Sequence, residues 1–199
     1  MKRRGRPPAG GREAIAEAAL AILRERGIAR LTTREVATRA GVSEGSVFYH
    51  YVDRAGLLKA VFEQGVTALR SVADEVELSK LGLREFLTVF GRELERFLDQ
   101  ALPVIIAAQS DVDLRDALGA YMGDEDLGPH RGVQTLSSYL TAEQAAGRIR
   151  RDIDPDAVAL SFVGSCYLRI SQRHMPSPDI DLPPLEHVID ALEITLRPE

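Results

Sequence analysis

Residues 32–54, TTREVATRAGVSEGSVFYHYVDR, constrain the fold of this chain more than any other stretch. They spell two short helices separated by a glycine turn. At the start of the first, Thr32 can accept from the Glu35 amide while the Glu35 carboxylate reaches back, with Leu31 and Val36 at the flanking apolar staple positions. Gly41 stands where a helix needs a left-handed residue to stop. Ser43 is a favourable N-cap for the second helix. The loop Ala40-Gly41-Val42-Ser43 has the length of the turn in a helix-turn-helix. A plain helical hairpin in an all-α domain is the alternative, but separate signals coincide here in the order a DNA-reading motif needs.

The rest of the chain must supply a core for this motif, and its 199 residues suffice for one large domain or two small ones. Hydrophobic residues make up 45% and charged residues 28%, the balance of a water-soluble globular protein. The single cysteine, Cys166, excludes an intrachain disulfide and argues against a cysteine zinc site. The four histidines are scattered, so no metal and no cofactor are expected. No apolar run approaches the length that spans a membrane, and the basic N-terminus lacks the apolar core of a signal peptide. A cytoplasmic protein is expected. Charge is divided unevenly. Residues 1–60 hold twelve Lys plus Arg against six Asp plus Glu, and the remainder hold thirteen against twenty-four. A basic front and an acidic rear suit a protein that places one end on DNA, although drift in composition gives the same pattern.

Residues 1–11, MKRRGRPPAGG, are too rich in Pro, Gly and like charges to pack, and read as a disordered basic arm. Its Arg4-Gly5-Arg6-Pro7 looks like the core of an AT-hook. Arg4 and Arg6 suit the negative potential of a narrow A·T-rich minor groove, or they form a solvated tail that adds affinity without preference. A first helix over 12–26 carries the stripe Ile15, Ala18, Ala19, Ile22 and Leu23, and braces the motif. From Arg54 a long helix keeps its period to about Glu77 and links front to rear. The next patterned helix, from Leu83 through Phe86, Phe90, Leu94 and Phe97, is expected to stop at Pro103. A short, deeply buried helix over 104–108 follows, then one around Leu114, Leu118 and Tyr121, an acidic loop at 124–126, a helix over 129–147, and a basic turn at 148–151. Asp154 and Pro155 open a helix to about Arg173 that is apolar on too wide an arc for one buried face. After a proline-rich loop, 185–196 carries a clean stripe. No strand is expected.

The runs LTTREVA at 31–37 and AGVSEGSVFYHY at 40–51, followed by Leu57-Leu58, resemble the DNA-binding domain of the TetR family. The resemblance in detail covers the first quarter to third of the chain. It implies an all-α fold: an N-terminal three-helix helix-turn-helix domain (12–56, preceded by the arm 1–11) and a C-terminal helical domain for ligand binding and dimerisation (57–199). It also implies a homodimer on double-stranded DNA carrying a palindromic operator. Ser43, Glu44, Gly45 and Ser46 open the second helix, which in this motif enters the major groove. Glu44 either accepts from a cytosine amine or merely offsets the helix dipole. By the family pattern Thr33, Tyr49, His50 and Arg54 contact phosphate, and Thr33 and Arg34 lie at the N-terminus of the first helix, where free amides favour an anion; His50 has the alternative of a packed histidine. Two departures stand out: Phe48 replaces a usual Tyr, which removes one phosphate hydroxyl, and Arg54 replaces a usual Lys.

Helices 155–173 and 185–196 are expected to pair with their symmetry mates through Phe162, Cys166, Ile170, Val188, Ile189 and Leu192, or else to complete a monomeric core. The resemblance implies a pocket for an unidentified small molecule. Candidates are Phe62, Phe86, Phe90, Gln109, Tyr121, Tyr139 and Arg169, although each reads more readily as ordinary core. The expected function is a ligand-responsive dimeric transcriptional regulator, a repressor released from its operator by a small molecule. A non-specific architectural DNA-binding protein is an alternative. An enzyme with a helical pocket is another, but no phosphate loop, metal-spaced His/Glu pair or nucleophile motif supports it, so a non-enzyme is expected.

Overall fold

The computed structural model describes residues 11–75, 80–176, 178 and 180–198. All regular structure among them is helical: α1 (Gly11–Arg26), α2 (Thr33–Ala40), α3 (Glu44–His50), α4 (Arg54–Glu75), α5 (Leu83–Gln109), α6 (Val112–Asp124), α7 (Pro129–Ala145), α8 (Pro155–His174) and α9 (Leu185–Leu196), with one 3₁₀ turn at Ile28–Arg30. The chain divides into two compact units, residues 1–65 with 100–124, and residues 66–99 with 125–199. Residues 100–124, expected in the rear domain, thus cluster with the front of the chain. The basic arm of residues 1–10 lies outside the described residues.

In the first unit the α1 stripe Ile15, Ala18, Ala19, Ile22 and Leu23 is buried, as its spacing requires. It meets Leu31, Val36 and Ala37 of the α2 region and Val47 of α3, so three short helices share one core. Each is too short to hold its shape alone, and burial of this common face supplies the stability. The bidentate pair of Arg39 with Glu25, at 2.5 and 2.6 Å, joins α2 to α1 and holds the Glu25 carboxyl below its ordinary value. Leu57, Leu58, Val61 and Phe62 on the first turns of α4 are also buried.

The second unit has a core of Phe86, Leu87 and Leu94 from α5, Leu136, Tyr139 and Leu140 from α7, Ala159, Phe162, Val163 and Cys166 from α8, and Leu185, Ile189 and Leu196 from α9. Phe86 stacks on Tyr139 with centroids 3.7 Å apart and planes 11° from parallel. The Tyr139 hydroxyl donates to the Leu81 carbonyl at 2.9 Å, so the buried phenol is satisfied. Burial, reinforced by nearby Glu143 and opposed by Arg148, pushes its pKa up to about 12.

Pro103 does not end its helix. α5 runs unbroken to Gln109, and the separate short helix expected over 104–108 is its last part. A helix-interior proline removes one amide donor and costs about 3 kcal/mol. Burial of Ala101, Leu102, Val104, Ala107 and Ala108 on both sides of it offsets that cost. The stretch is amphipathic rather than deeply buried throughout, since Ile106 is 52% exposed. The basic turn is also organised: Arg148 forms a bidentate pair with buried Glu143 at 2.5 and 2.9 Å, and Arg150 with Asp152 at 2.5 and 2.6 Å. Asp154 caps α8 by accepting from the Asp156 and Ala157 amides, as expected.

Two predictions follow from the packing of α5 and α8. A Cβ added at Gly91 would lie 3.1 Å from Cζ of Phe162 and 3.2 Å from the Leu185 methyls, whereas one at Gly119 of α6 meets nothing within 4 Å. In urea unfolding, Gly91→Ala should lose about 1–3 kcal/mol by overpacking, while Gly119→Ala should gain about 0.5–1 kcal/mol from helix propensity. Burial, then the nearby Glu95, pushes the Cys166 thiol up to about 12, with Arg169 opposing. The folded protein should therefore resist iodoacetamide at pH 8 and react only once unfolded. Rapid labelling under native conditions would contradict the packing of α8.

Candidate functional site

The turn between α2 and α3 is built by three residues. The Thr32 hydroxyl accepts from the Glu35 amide at 3.2 Å and opens α2. Gly41 closes it in the left-handed region, φ 68°, ψ 29°. The Gly41 amide donates to the carbonyls of Ala37 and Thr38, and the Val42 amide donates to Ala37 at 3.0 Å. The Ser43 hydroxyl then accepts from the Ser46 amide at 3.1 Å and opens α3. One half of the expected reciprocal cap is missing. The Thr32 amide donates to the Arg30 carbonyl at 2.9 Å, and the Glu35 carboxylate faces Arg26 and Arg30 at 3.7 and 3.6 Å instead. The 3₁₀ turn ahead of α2 explains the change, because it supplies the amide's acceptor and brings Arg30 close.

Four α3 residues are exposed, namely Glu44, Gly45, Phe48 and Tyr49, and Val47 points into the core. Tyr49 is 78% exposed and Phe48 54%. Ser43 and Ser46 are less available than their sequence positions suggested. Their hydroxyls lie 3.0 Å apart and share a hydrogen bond in addition to the cap. Sequence reasoning valued Phe48 only for its missing hydroxyl. Its place four residues after Glu44 was the signal that it belongs to the same outward row.

Around this face, Arg34 in the first turn of α2 and Arg54 in the first turn of α4 are exposed, and Thr33 is half-buried at the start of α2. Asp53 accepts from the Gly56 amide at 2.8 Å and so fixes the start of α4, a role the sequence reading did not assign. His50 is placed differently from a plain phosphate contact. Its Nε2 is buried without a partner, and a Cβ on Gly11 would lie 3.8 Å from it. That nitrogen faces protein, so a phosphate contact by His50 cannot use it while α1 keeps this position. Next to it, the Tyr51 hydroxyl donates to the Arg12 carbonyl at 3.0 Å, and the Arg12 guanidinium lies 5.9 Å from the Tyr51 ring centroid. The start of α1 is thereby tied to the end of α3. Arg4 and Arg6 lie outside the described residues.

The pocket candidates divide between the two units. In the first, buried Phe62 meets Tyr121 edge to face, centroids 6.3 Å apart, Lys59 sits 4.6 Å over the Tyr121 ring, and Gln109 is exposed. In the second, Phe86, Phe90 and Tyr139 pack on one another, with Phe90 also beside Phe162. Arg169 donates to Glu95 at 2.6 Å, both side chains about one-seventh exposed, and to the Pro183 carbonyl. Its acid partner is thus within its own chain. An open cleft of about 470 Å³ in the second unit is lined by Gly147, Ile149, Arg150, Arg151, Asp152 and Pro198, and by none of the candidates.

The residues expected at a dimer contact are largely enclosed within the single chain. Phe162, Cys166, Ile170 and Ile189 are at most 2% exposed within the single chain, and Val188 and Leu192 pack against the same core. The exposed apolar residues of α8 are Leu160, Tyr167 and Leu168, which share a face with exposed Gly164, and α9 adds Ile194.

Among the described residues no helix is long and apolar enough to cross a membrane. A model of the bacterial regulatory proteins of the tetR family matches residues 15–61, the stretch that holds most of α1 with α2, the turn and α3. No curated protein matches the chain. Solved structures similar to it include a protein from Rhodococcus sp. assigned to the TetR-family transcriptional regulators, 24% identical over 94% of this chain and 98% of that one, TM-score 0.62. Another is SmeT in complex with triclosan, 18% identical over 94% and 92%, TM-score 0.69. A third is the transcriptional regulator FadR from Bacillus subtilis in complex with stearoyl-CoA, 17% identical over 92% and 97%, TM-score 0.61. At such identities these likenesses speak for the fold. Residues 15–61 are a DNA-binding domain of the tetR family of bacterial regulatory proteins, carried by a chain that has the fold of TetR-family regulators along nearly its whole length.

Proposed function

We propose that this protein is a dimeric transcriptional repressor that binds a palindromic operator through α3 and leaves it when a small molecule binds the second unit. The observation that carries the reading is the helix-turn-helix with an outward α3 face, flanked by the exposed cations Arg34 and Arg54. Support for a ligand comes from the similar folds solved with triclosan and with stearoyl-CoA. In this chain the aromatic group of Phe86, Phe90 and Tyr139, and the enclosed Arg169 paired with Glu95, are the features we assign to ligand binding.

The second copy is assigned to the exposed face of α8. Leu160, Gly164, Tyr167 and Leu168 recur at i, i+4, i+7 and i+8, and so form one stripe. In a helix-turn-helix dimer the two recognition helices enter successive major grooves of a palindrome. Ligand action then needs only that the ligand favour a conformer whose α3 spacing misfits the operator, and it can shift the equilibrium by no more than its difference in affinity for the two conformers.

Sedimentation and DNase footprinting test the reading together. The wild type should sediment as a dimer and protect a discrete palindrome. Leu168→Glu should weaken dimerisation at least tenfold, keep its helical circular dichroism and lose the palindromic footprint. Continuous coating of DNA by the wild type would refute the operator reading. On the protected duplex, Arg34→Ala and Arg54→Ala should each weaken binding uniformly across sequences and lower the slope of log affinity against log salt by about 0.9 per phosphate contact removed. An unchanged slope would remove that residue from the contact set.

A further inference from the structure

Resting on the DNA-reading role of α3 proposed above, the inference here concerns which bases it reads. The outward side of α3 is a narrow set. Glu44 and Phe48 form one i, i+4 row, and Gly45 and Tyr49 form the next. Val47 is core, Ser43 and Ser46 are engaged with each other and the cap, and Nε2 of His50 is buried. Glu44 makes no hydrogen bond or ion pair among the described residues. The first row therefore offers a DNA groove one acceptor-only carboxylate and one apolar ring.

We propose that Glu44 and Phe48 read a cytosine and a thymine lying within two base-pair steps of each other in the major groove.

An ionised carboxylate can only accept hydrogen bonds. The donors on major-groove base edges are the cytosine N4 and adenine N6 amines. Adenine presents its N7 acceptor beside that amine, which repels a carboxylate, and guanine and thymine present acceptors alone at the positions facing it. Cytosine is the base that remains. Phe48 can make no hydrogen bond through its side chain, and the thymine C5-methyl is the apolar group of the major groove. A tyrosine at position 48 would carry a hydroxyl able to reach phosphate; phenylalanine instead leaves a bare ring, 54% exposed, whose burial on DNA is favourable only against an apolar partner. The spacing agrees. Four helical residues rise about 6 Å, and successive bases on a strand lie about 3.4 Å apart.

The test begins with the full-length protein and a random-core pool of double-stranded DNA at fixed salt. The enriched duplex should contain a cytosine and a thymine within two steps. Replacing that thymine by deoxyuridine, which deletes only the methyl, should weaken wild-type binding about three- to fivefold and leave Phe48→Ala unaffected. Glu44→Ala should relax the preference for cytosine at one position about fivefold or more and keep the response to deoxyuridine. Both variant positions are exposed, and the deoxyuridine arm needs no variant at all. If deoxyuridine is silent at every thymine of the motif, or Glu44→Ala raises affinity equally for all sequences, the inference is overturned while the regulator reading stands. If no sequence enriches, both fall.

Discussion

The left-handed turn at Gly41 is the constraint on which the reading surface depends. α2 and α3 have eight and seven residues, too few to persist without support. Their relative direction is set where one stops and the other starts. Gly41 satisfies the last carbonyls of α2 while reversing the chain, and Ser43 two residues later satisfies the first amides of α3. Only Val42 lies between the two caps, and its amide is held by the Ala37 carbonyl. Val47 points into the core shared with α1; by the 3.6-residue period Gly45 and Tyr49 then lie opposite it, and Glu44 and Phe48 are exposed beside that face. The composition of the outward face follows from the turn and the 3.6-residue period together.

The ion pairs of the first unit sharpen that face. Glu25 is held by Arg39, Glu35 faces Arg26 and Arg30, and Glu63 lies 3.7 Å from Lys59. These pairs are largely solvent-exposed and add little to stability. Their effect is on the field: acids that would repel a polyanion are matched locally, and Arg34 and Arg54 remain available. Glu44 is the acid on the α3 face itself, without a cation beside it among the described residues. An unmatched carboxylate aimed at DNA is costly unless it meets a donor, and this is why its identity bears on base preference rather than on affinity alone.

Much of this arrangement was legible in the sequence, for a physical reason. Caps, left-handed glycines and apolar periodicity are local, so Thr32, Gly41, Ser43, Asp154 and the α1 stripe could be placed from residue type and spacing. What was not legible depends on distant partners. The second half of the α2 cap was lost to Arg30 because the 3₁₀ turn before it was not foreseen. Pro103 was read as a stop because the local cost of a helix-interior proline is visible in sequence, while the burial that offsets it is not. Arg169 interrupts an apolar run, which flagged it correctly as unusual, but only the fold reveals that Glu95, seventy-four positions earlier, is its partner.

α8 shows the same limit in its most instructive form. Its apolar arc was recognised as too wide for one buried face, and that inference implies two surfaces. Periodicity gives the width of an arc and not its direction, so the larger and more regular residues were assigned to the partner. The fold assigns them the other way. Ala159, Phe162, Val163 and Cys166 turn toward α5, α7 and α9, whose own stripes need covering, and Leu160, Gly164, Tyr167 and Leu168 stand on the order of 130° round the helix. A chain fills its own core first, because that contact is present at every concentration, whereas a partner must be recruited at an entropic cost. In the proposed dimer, the residues left for a second copy are then the remainder of the arc. Here that remainder centres on Gly164, which in the dimer proposed above would let two backbones approach closely, with Leu160, Tyr167 and Leu168 to either side.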